Sequence, residues 1–312
     1  MVLYDNYGRP LLHLRLSVTQ RCNYRCIYCH HEGEIWKPSR ELSPMEMRSI
    51  VKACMDLGIK KIKLTGGEPL IREDIVEIVE TLSSLEPEDL AITTNGYYLE
   101  ELALPLKKAG LMRINVSLPS LDKKVYETVT GVDGLDKVLR GLKKALDIGL
   151  KPVKVNMVIL KDINEGEVWD MIKLASQMKF ILQLIELEPV DMPSYLYRDL
   201  HADLDSIERE ISSKGVLVNR RRYMHNRPQY RIGGAVVEIV KPVHNPDFCL
   251  HCTRIRVSSD GKLYTCLMDS SNHFDLNKAL ESNDPVENIK EIIIKANRAR
   301  KPYFMSRRDI HG

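Results

Sequence analysis

HLRLSVTQRCNYRCIYC, His13 to Cys29, holds the two features that decide how this chain folds. Its first half alternates. His13, Arg15, Ser17 and Thr19 fall on one side of an extended strand, and Leu12, Leu14, Leu16 and Val18 on the other. Its second half is a loop carrying Cys22, Cys26 and Cys29 in CxxxCxxC spacing.

The same alternation returns along the chain. KIKLT sets Lys61, Lys63 and Thr65 against Ile62 and Leu64. MRINVSL sets Arg113, Asn115 and Ser117 against Met112, Ile114, Val116 and Leu118. VKVNMV sets Lys154 and Asn156 against Val153, Val155 and Met157. Strands are expected at 12–18, 60–65, 89–94, 112–118, 151–159 and 181–188, with helices between them. This rhythm marks repeated βα units and a parallel sheet. The first helix, 44–57, opens on Ser43 as N-cap, Pro44 at the first helical position and Glu46 completing a capping box. Asn164 and Glu167 suggest a similar start before the sixth strand.

Six such strands fall short of a closed eight-stranded barrel. The fold class is therefore α/β, a partial (βα)₆ TIM-type barrel. Strands buried on both faces read as continuous apolar runs, and these do not. The helices must cover the apolar faces, so the polar faces line the interior. A lumen of Arg, Lys, Ser and Asn suits a polar, anionic ligand.

After residue 190 the rhythm stops, which divides the chain into 1–190 and a C-terminal cap, 191–312. DMPSYLYRDL (191–200) reads as irregular and 203–213 as helical. Residues 219–243 read as strands with a Gly233-Gly234 turn, and a final helix lies near 286–300. Arg220, Arg221, Arg222 and Arg227 read as a solvated face more readily than as a nucleic-acid contact.

The 312 residues are 44% hydrophobic, ample for a large core. A net charge of +3, from 46 basic and 43 acidic residues, does not mark a nucleic-acid binder. The first residues carry Asp5, Arg9, His13 and Arg15 and do not read as a secretory signal. No apolar run approaches a membrane span. The expectation is a cytoplasmic protein without membrane partner, whose cysteines serve metal or catalysis rather than disulfides. Six of the seven cysteines form two triads, Cys22/Cys26/Cys29 and Cys249/Cys252/Cys266. Cys54, in a helical pattern, reads as a buried thiol.

Three thiolates can hold three corners of a 4Fe–4S cubane and leave one iron open. The alternative is a zinc site completed by His30 or His31, but CxxxCxxC is not the paired CxxC grouping usual for zinc. The second triad, in CLHCTRIRVSSDGKLYTC, leaves a zinc ribbon with His251 open as the alternative.

CNYRCIYC after a first strand resembles the signature of radical S-adenosylmethionine (SAM) enzymes. TGGEP, Thr65 to Pro69, resembles their second motif, in which glycine lets the backbone approach a ligand. In that family the open iron chelates SAM, and one electron releases a 5′-deoxyadenosyl radical that abstracts hydrogen from substrate. CxxCxRxR…DGxxxxC at the second triad narrows the resemblance to GTP 3′,8-cyclases, over essentially the whole chain. Matching segments include KLTGGEPLIRED, TTNGYYLE, AGLMRINVSLPSLD and VKVNMVILKDIN.

This resemblance implies two 4Fe–4S clusters, SAM as cofactor and GTP as substrate, with 3′,8-cyclo-7,8-dihydro-GTP as product. The C-terminal cap would carry the second cluster, whose open iron contacts the guanine. Tyr28, Gly67 and Ser117 match positions of SAM contacts, and Glu188 replaces a Met beside SAM. Arg15, Lys63, Thr93, Lys154, Arg254, Ile255 and Arg256 match GTP contacts. Arg254 and Arg256 are also the catalytic candidates, to complete the radical step. A reductant protein, a downstream cyclic pyranopterin monophosphate synthase and a homodimer are implied. The alternative is another two-cluster radical SAM enzyme acting on a peptide or a different anion.

The chain departs from the family pattern in places. Lys63 stands where relatives often have Arg, and a Lys is a point charge rather than a planar fork. Gln183 also replaces an Arg, and Pro119 an Asp. The family's Gly-Gly tail is His311-Gly312 here, and its role is not carried over.

Overall fold

The computed structural model describes residues 2–34, 40–269 and 271–306. The tail His311-Gly312, with Arg307 and Arg308, lies outside them. Six strands alternate with helices: β1 (His13–Ser17), β2 (Lys61–Thr65), β3 (Asp89–Thr94), β4 (Arg113–Ser117), β5 (Val153–Ile159) and β6 (Ile181–Glu186). They pair in sequence order, all parallel. The C-terminal segment adds β7 (Val216–Arg221), β8 (Arg227–Ile232), β9 (Ala235–Val240), β10 (Arg254–Val257), β11 (Lys262–Tyr264) and β12 (His273–Asp275). Together they form one curled sheet of twelve strands in the order β12-β11-β10-β1-β2-β3-β4-β5-β6-β9-β8-β7.

The partial barrel is thus as expected, with an addition. β10 pairs parallel with β1, and β9 pairs parallel with β6. The parallel run is therefore eight strands long and still open, because β12 and β7 end the order without meeting. No βα rhythm announces β9 and β10, since each joins the sheet from an antiparallel ladder.

The alternating pattern drives this arrangement. Leu14, Leu16, Ile62, Leu64, Ile92, Ile114, Val116, Val155 and Met157 are buried in one apolar core. Helices close over it. Leu135–Asp147 buries Leu135, Val138, Leu142 and Ala145, a stripe at helical spacing. Each fully buried aliphatic side chain contributes about 1.5–3 kcal/mol, so the apolar faces fix which side of each strand looks inward. Cys54 belongs to this core, and burial pushes its thiol up.

Pro44–Asp56 begins with the expected capping box, Ser43 and Glu46 bonding each other's backbone N–H. The second expected start fails. Asn164 makes no cap; its side chain accepts from Leu160 N and donates to the Pro119 and Val158 carbonyls. Glu167 instead accepts from Ser120 Oγ and the backbone N–H groups of Leu121 and Asp122. Both residues tie together the loops that follow β4 and β5. The stretch read as irregular contains a helix, Ser194–Leu200, entered directly after Pro193. Gly233-Gly234 makes the expected turn, with Ile232 and Ala235 paired across it. No helix among the described residues is long and apolar enough to cross a membrane.

Candidate active site

The inward faces enclose a cavity of about 290 Å³. All six cysteines of the two triads line it, together with Arg15, Lys63, Thr93, Lys154, Arg254 and Arg256. Tyr28, Gly67, Ser117 and Glu188 line it too. Ile255 does not. Its side chain is 0% exposed and lies in the apolar core, because the residue alternates away from its Arg neighbours. Only its main chain remains for a contact.

The two triads meet here because β1 and β10 are neighbours. The loop after β1 carries the first triad, and the Cys249/Cys252 turn leads directly into β10. The first loop is clamped from two sides. Arg25 and Ile27 donate backbone hydrogen bonds to Thr130 and Val129, and the Tyr24 and Tyr126 hydroxyls bond at 3.0 Å. On the other side, Gly67 N donates to Thr19 O at 2.7 Å and Glu68 N to Arg21 O at 2.8 Å. A Cβ on Gly67 would stand 2.2 Å from Arg21 O, and one on Gly66 2.2 Å from Thr19 O. The glycines of GGEP are therefore required first by the passing cysteine loop. Glu68 is buried and accepts from Leu70 N, Asn95 N and Thr94 Oγ1; burial raises its carboxyl to about 7.

The second triad is clamped by groups distant in sequence. Arg9 donates to Cys249 O at 3.0 Å and Arg300 to Cys252 O at 2.7 Å. Asp5, with a fully buried carboxylate, pairs with both arginines at 2.7 and 3.5 Å. Burial opposes the Cys252 thiolate, but Arg300, Arg9 and Arg254 outweigh it and hold the thiol below its ordinary range.

The donor set suits an iron–sulfur cluster at each triad. All six thiols are free. Burial pushes Cys26 and Cys266 up to about 12; Cys22 is exposed as a residue, yet partial desolvation of its thiol takes it to about 11. Desolvated thiols of this kind ionise when bound iron supplies the missing positive charge. His31 pairs with Asp191 at 2.7 Å, and His30 faces Glu188 at 3.9 Å. Among the described residues no three His, Cys, Asp or Glu side chains are gathered to hold a single metal ion. A cubane differs in taking one thiolate per iron corner.

Cation placement follows from register. His13 pairs with Arg254 and Lys61, and Arg15 with Arg256 and Lys63. Arg256, Arg15 and Lys63 thus form a row across three strands. Like charges on adjacent strands repel, at an effective dielectric constant near 20 by on the order of a few kcal/mol per close pair. Glu32 relieves part of this. It accepts from Arg15 at 3.4 Å, from Thr65 at 2.8 Å and from Arg256. Its carboxyl is desolvated, yet Arg15 and Arg256 hold it far below the usual carboxylate range. Glu32 reaches inward from a left-handed turn, with His31 at φ 47° and Glu32 at φ 53°. Such a conformation costs of order 1 kcal/mol or more per non-Gly residue. Lys63 and Arg254 have no carboxylate partner among the described residues, and burial plus neighbouring cations lower both well below their ordinary values.

Glu238 was not visible as a site residue. It is 0% exposed and accepts from Lys154 at 3.0 Å, Arg221 at 3.1 Å, Arg227 at 3.2 Å, Gln183 at 2.7 Å and Gln229 at 2.9 Å. Burial, with Arg221 and Arg227 beside it, lowers Lys154 to about 8 despite the carboxylate. Arg221 and Arg227 therefore correct the solvated-face reading of the basic run; only Arg220 and Arg222 are exposed. The signal was a lone Glu in AVVEIV, an otherwise apolar strand. Gln183, the replaced Arg, opposes Glu238 in register and bridges it to Asn115.

An open parallel sheet whose first strand ends in a CxxxCxxC loop, over a cation-lined lumen, is the architecture of radical SAM enzymes. Residues 16–175 match the Radical SAM superfamily and residues 180–306 match Molybdenum Cofactor Synthesis C. The chain is 45% identical to a probable GTP 3′,8-cyclase of Methanothermobacter marburgensis, over 98% of this chain and 100% of that protein. It is 47% identical to one of Thermococcus kodakarensis, over 97% and 100%. The chain belongs to the GTP 3′,8-cyclase family of radical SAM proteins.

Solved structures agree in fold. Streptococcus suis SuiB bound to its precursor peptide SuiA superposes with TM-score 0.68 at 18% identity, covering 92% of this chain and 65% of that one. Native anSMEcpe with bound AdoMet gives 0.58 at 18%, covering 89% and 83%. Membership brings SAM and two 4Fe–4S clusters as cofactors.

Proposed function

We propose that this chain converts GTP to 3′,8-cyclo-7,8-dihydro-GTP, the first step of molybdenum cofactor biosynthesis. The observation that carries the reading is a single cavity walled by both cysteine triads and by the cations between them. Cys22, Cys26 and Cys29 would hold the cluster that binds SAM, and Cys249, Cys252 and Cys266 the one facing the base. When bound, these groups supply the one-electron cleavage of SAM and the radical that removes hydrogen from the ribose 3′ carbon.

The remaining work belongs to side chains. Lys63 and Arg254, unpaired by carboxylates among the described residues, meet the triphosphate first; each charge-assisted hydrogen bond contributes about 1.5–3 kcal/mol. Arg15 and Arg256 exchange Glu32 for substrate, and Arg254 and Arg256 are the candidates to complete the radical step. Lys154, held by Glu238, and Thr93 orient the nucleotide, with the Ile255 main chain. Tyr28, Gly67, Ser117 and Glu188 line the SAM side. The division at residues 190/191 then separates SAM chemistry from base recognition. A reductant protein delivers the electron, cyclic pyranopterin monophosphate synthase receives the product, and the chain acts as a cytoplasmic homodimer.

Anaerobic reconstitution tests this. Iron is counted, then SAM and reductant are added with and without GTP. About eight irons per chain, with 5′-deoxyadenosine and a cyclised nucleotide formed only with GTP, are expected. Four irons plus zinc, or SAM cleavage indifferent to GTP, would overturn the reading.

A further inference from the structure

His225 is a buried imidazole with one nitrogen unused by the described residues. It is 7% exposed and lines the cavity. Nδ1 lies 3.0 Å from the Phe248 carbonyl oxygen. A carbonyl only accepts, so Nδ1 carries the proton and Nε2 presents a lone pair. Nε2 has no hydrogen-bond partner among the described residues. Leaving a buried acceptor unmade is unfavourable, and the fold spends structure on keeping this one in place. His225 and Asn226 form a left-handed pair, φ 65° and 53°. His225 N donates to His251 O, Asn226 donates to Asp247 at 2.8 Å, and the imidazole stacks on Phe248 at 3.8 Å between centroids.

The surroundings decide what Nε2 can take. Burial, then Arg254 and Arg227, hold the imidazole neutral. The groups around it are cations suited to phosphates, which accept hydrogen bonds and cannot serve Nε2. A ligand that brings acceptors for the arginines, Arg227 Nε included, and a donor for the histidine satisfies both. From this juxtaposition we infer that His225 Nε2 accepts a hydrogen bond from the nucleoside part of the substrate, a ribose hydroxyl or a base N–H. It is a specificity residue for a donor-bearing nucleotide, and the inference rests on the reading of the cavity as a GTP site.

The test is equilibrium binding to the anaerobically reconstituted enzyme. GTP, 2′-deoxy-GTP and ITP, which lacks the exocyclic amine, are titrated into wild type, His225→Phe and His225→Gln. Phe keeps the stacking and loses the acceptor; Gln restores an acceptor oxygen. Iron content near the wild-type value reports an intact fold. GTP binding should weaken about tenfold in His225→Phe and recover most of that in His225→Gln. The analogue lacking the bonded donor should bind wild type and His225→Phe alike, as a double-mutant cycle requires. The 2′-deoxy arm identifies the 2′-hydroxyl and the ITP arm the exocyclic amine; a GTP-like loss in His225→Phe with both analogues places the donor at the 3′-hydroxyl or N1–H. Equal GTP affinity in all three proteins, or a loss that Gln does not rescue, overturns the assignment. Wild type that takes up no GTP would overturn the GTP reading itself, and that arm alone reports it.

Discussion

Replacing Glu238 by Gln should be the most damaging single change that leaves every cysteine in place. The carboxylate is fully buried and shared by Lys154, Arg221 and Arg227. Gln cannot supply the charge, and its amide nitrogen would face donors from Gln183 or Gln229. Removing one partner of a buried ion pair costs about 3–5 kcal/mol. In a chain of 312 residues that corresponds to a thermal midpoint roughly 5–8 °C lower. The loss should be partly recovered by substrate, because the freed cations gain most from a triphosphate. Anaerobic thermal unfolding of reconstituted wild type and variant, each with and without GTP, measures both effects. The GTP-induced rise should be larger in Glu238→Gln. A midpoint within 2 °C of wild type would refute the buried charge balance (about 1.3 kcal/mol or less by the same scaling). An equal GTP-induced rise would show that Glu238 holds the fold without restraining the cations.

The other predictions concern separate parts of the site. Glu32→Gln frees Arg15 and Arg256 from their shared carboxylate, so GTP should bind several-fold tighter at low salt, with the gain shrinking as ionic strength rises; unchanged binding would show that Glu32 does not compete with the substrate. Cys266→Ser should leave about four irons per chain, spare SAM binding and abolish GTP turnover; retained turnover would refute the role of the second triad. His13 is lowered from 6.5 to about 2 by burial and by Arg254, Lys61 and Lys63. A neutral, half-buried His whose folded pKa is depressed favours the fold above its unfolded pKa, and that contribution is lost as pH falls from 6.5 toward 2. Unfolding of His13→Gln should therefore show a flatter acid limb over that interval, and a slope identical to wild type would refute it.

Much of this protein was present in its sequence, for a local reason. Alternation of period two states which face of a strand is covered, so Arg15, Lys63, Ser117 and Lys154 could be assigned to the lumen before any contact was known. Loop spacing states that Cys22, Cys26 and Cys29 act together. Neither depends on distant residues. The tertiary structure decided what stands opposite them. Glu238 reaches Lys154 across β6, Glu32 turns back onto Arg15, and Arg9 meets Arg300 over the second triad. It also placed β9 and β10 at the two ends of the parallel run, where no βα rhythm points. A charge's partner is set by register between strands far apart in the chain. The sequence therefore determined which residues face inward. Only the folded sheet determined which of those charges are already neutralised, and which remain for a ligand.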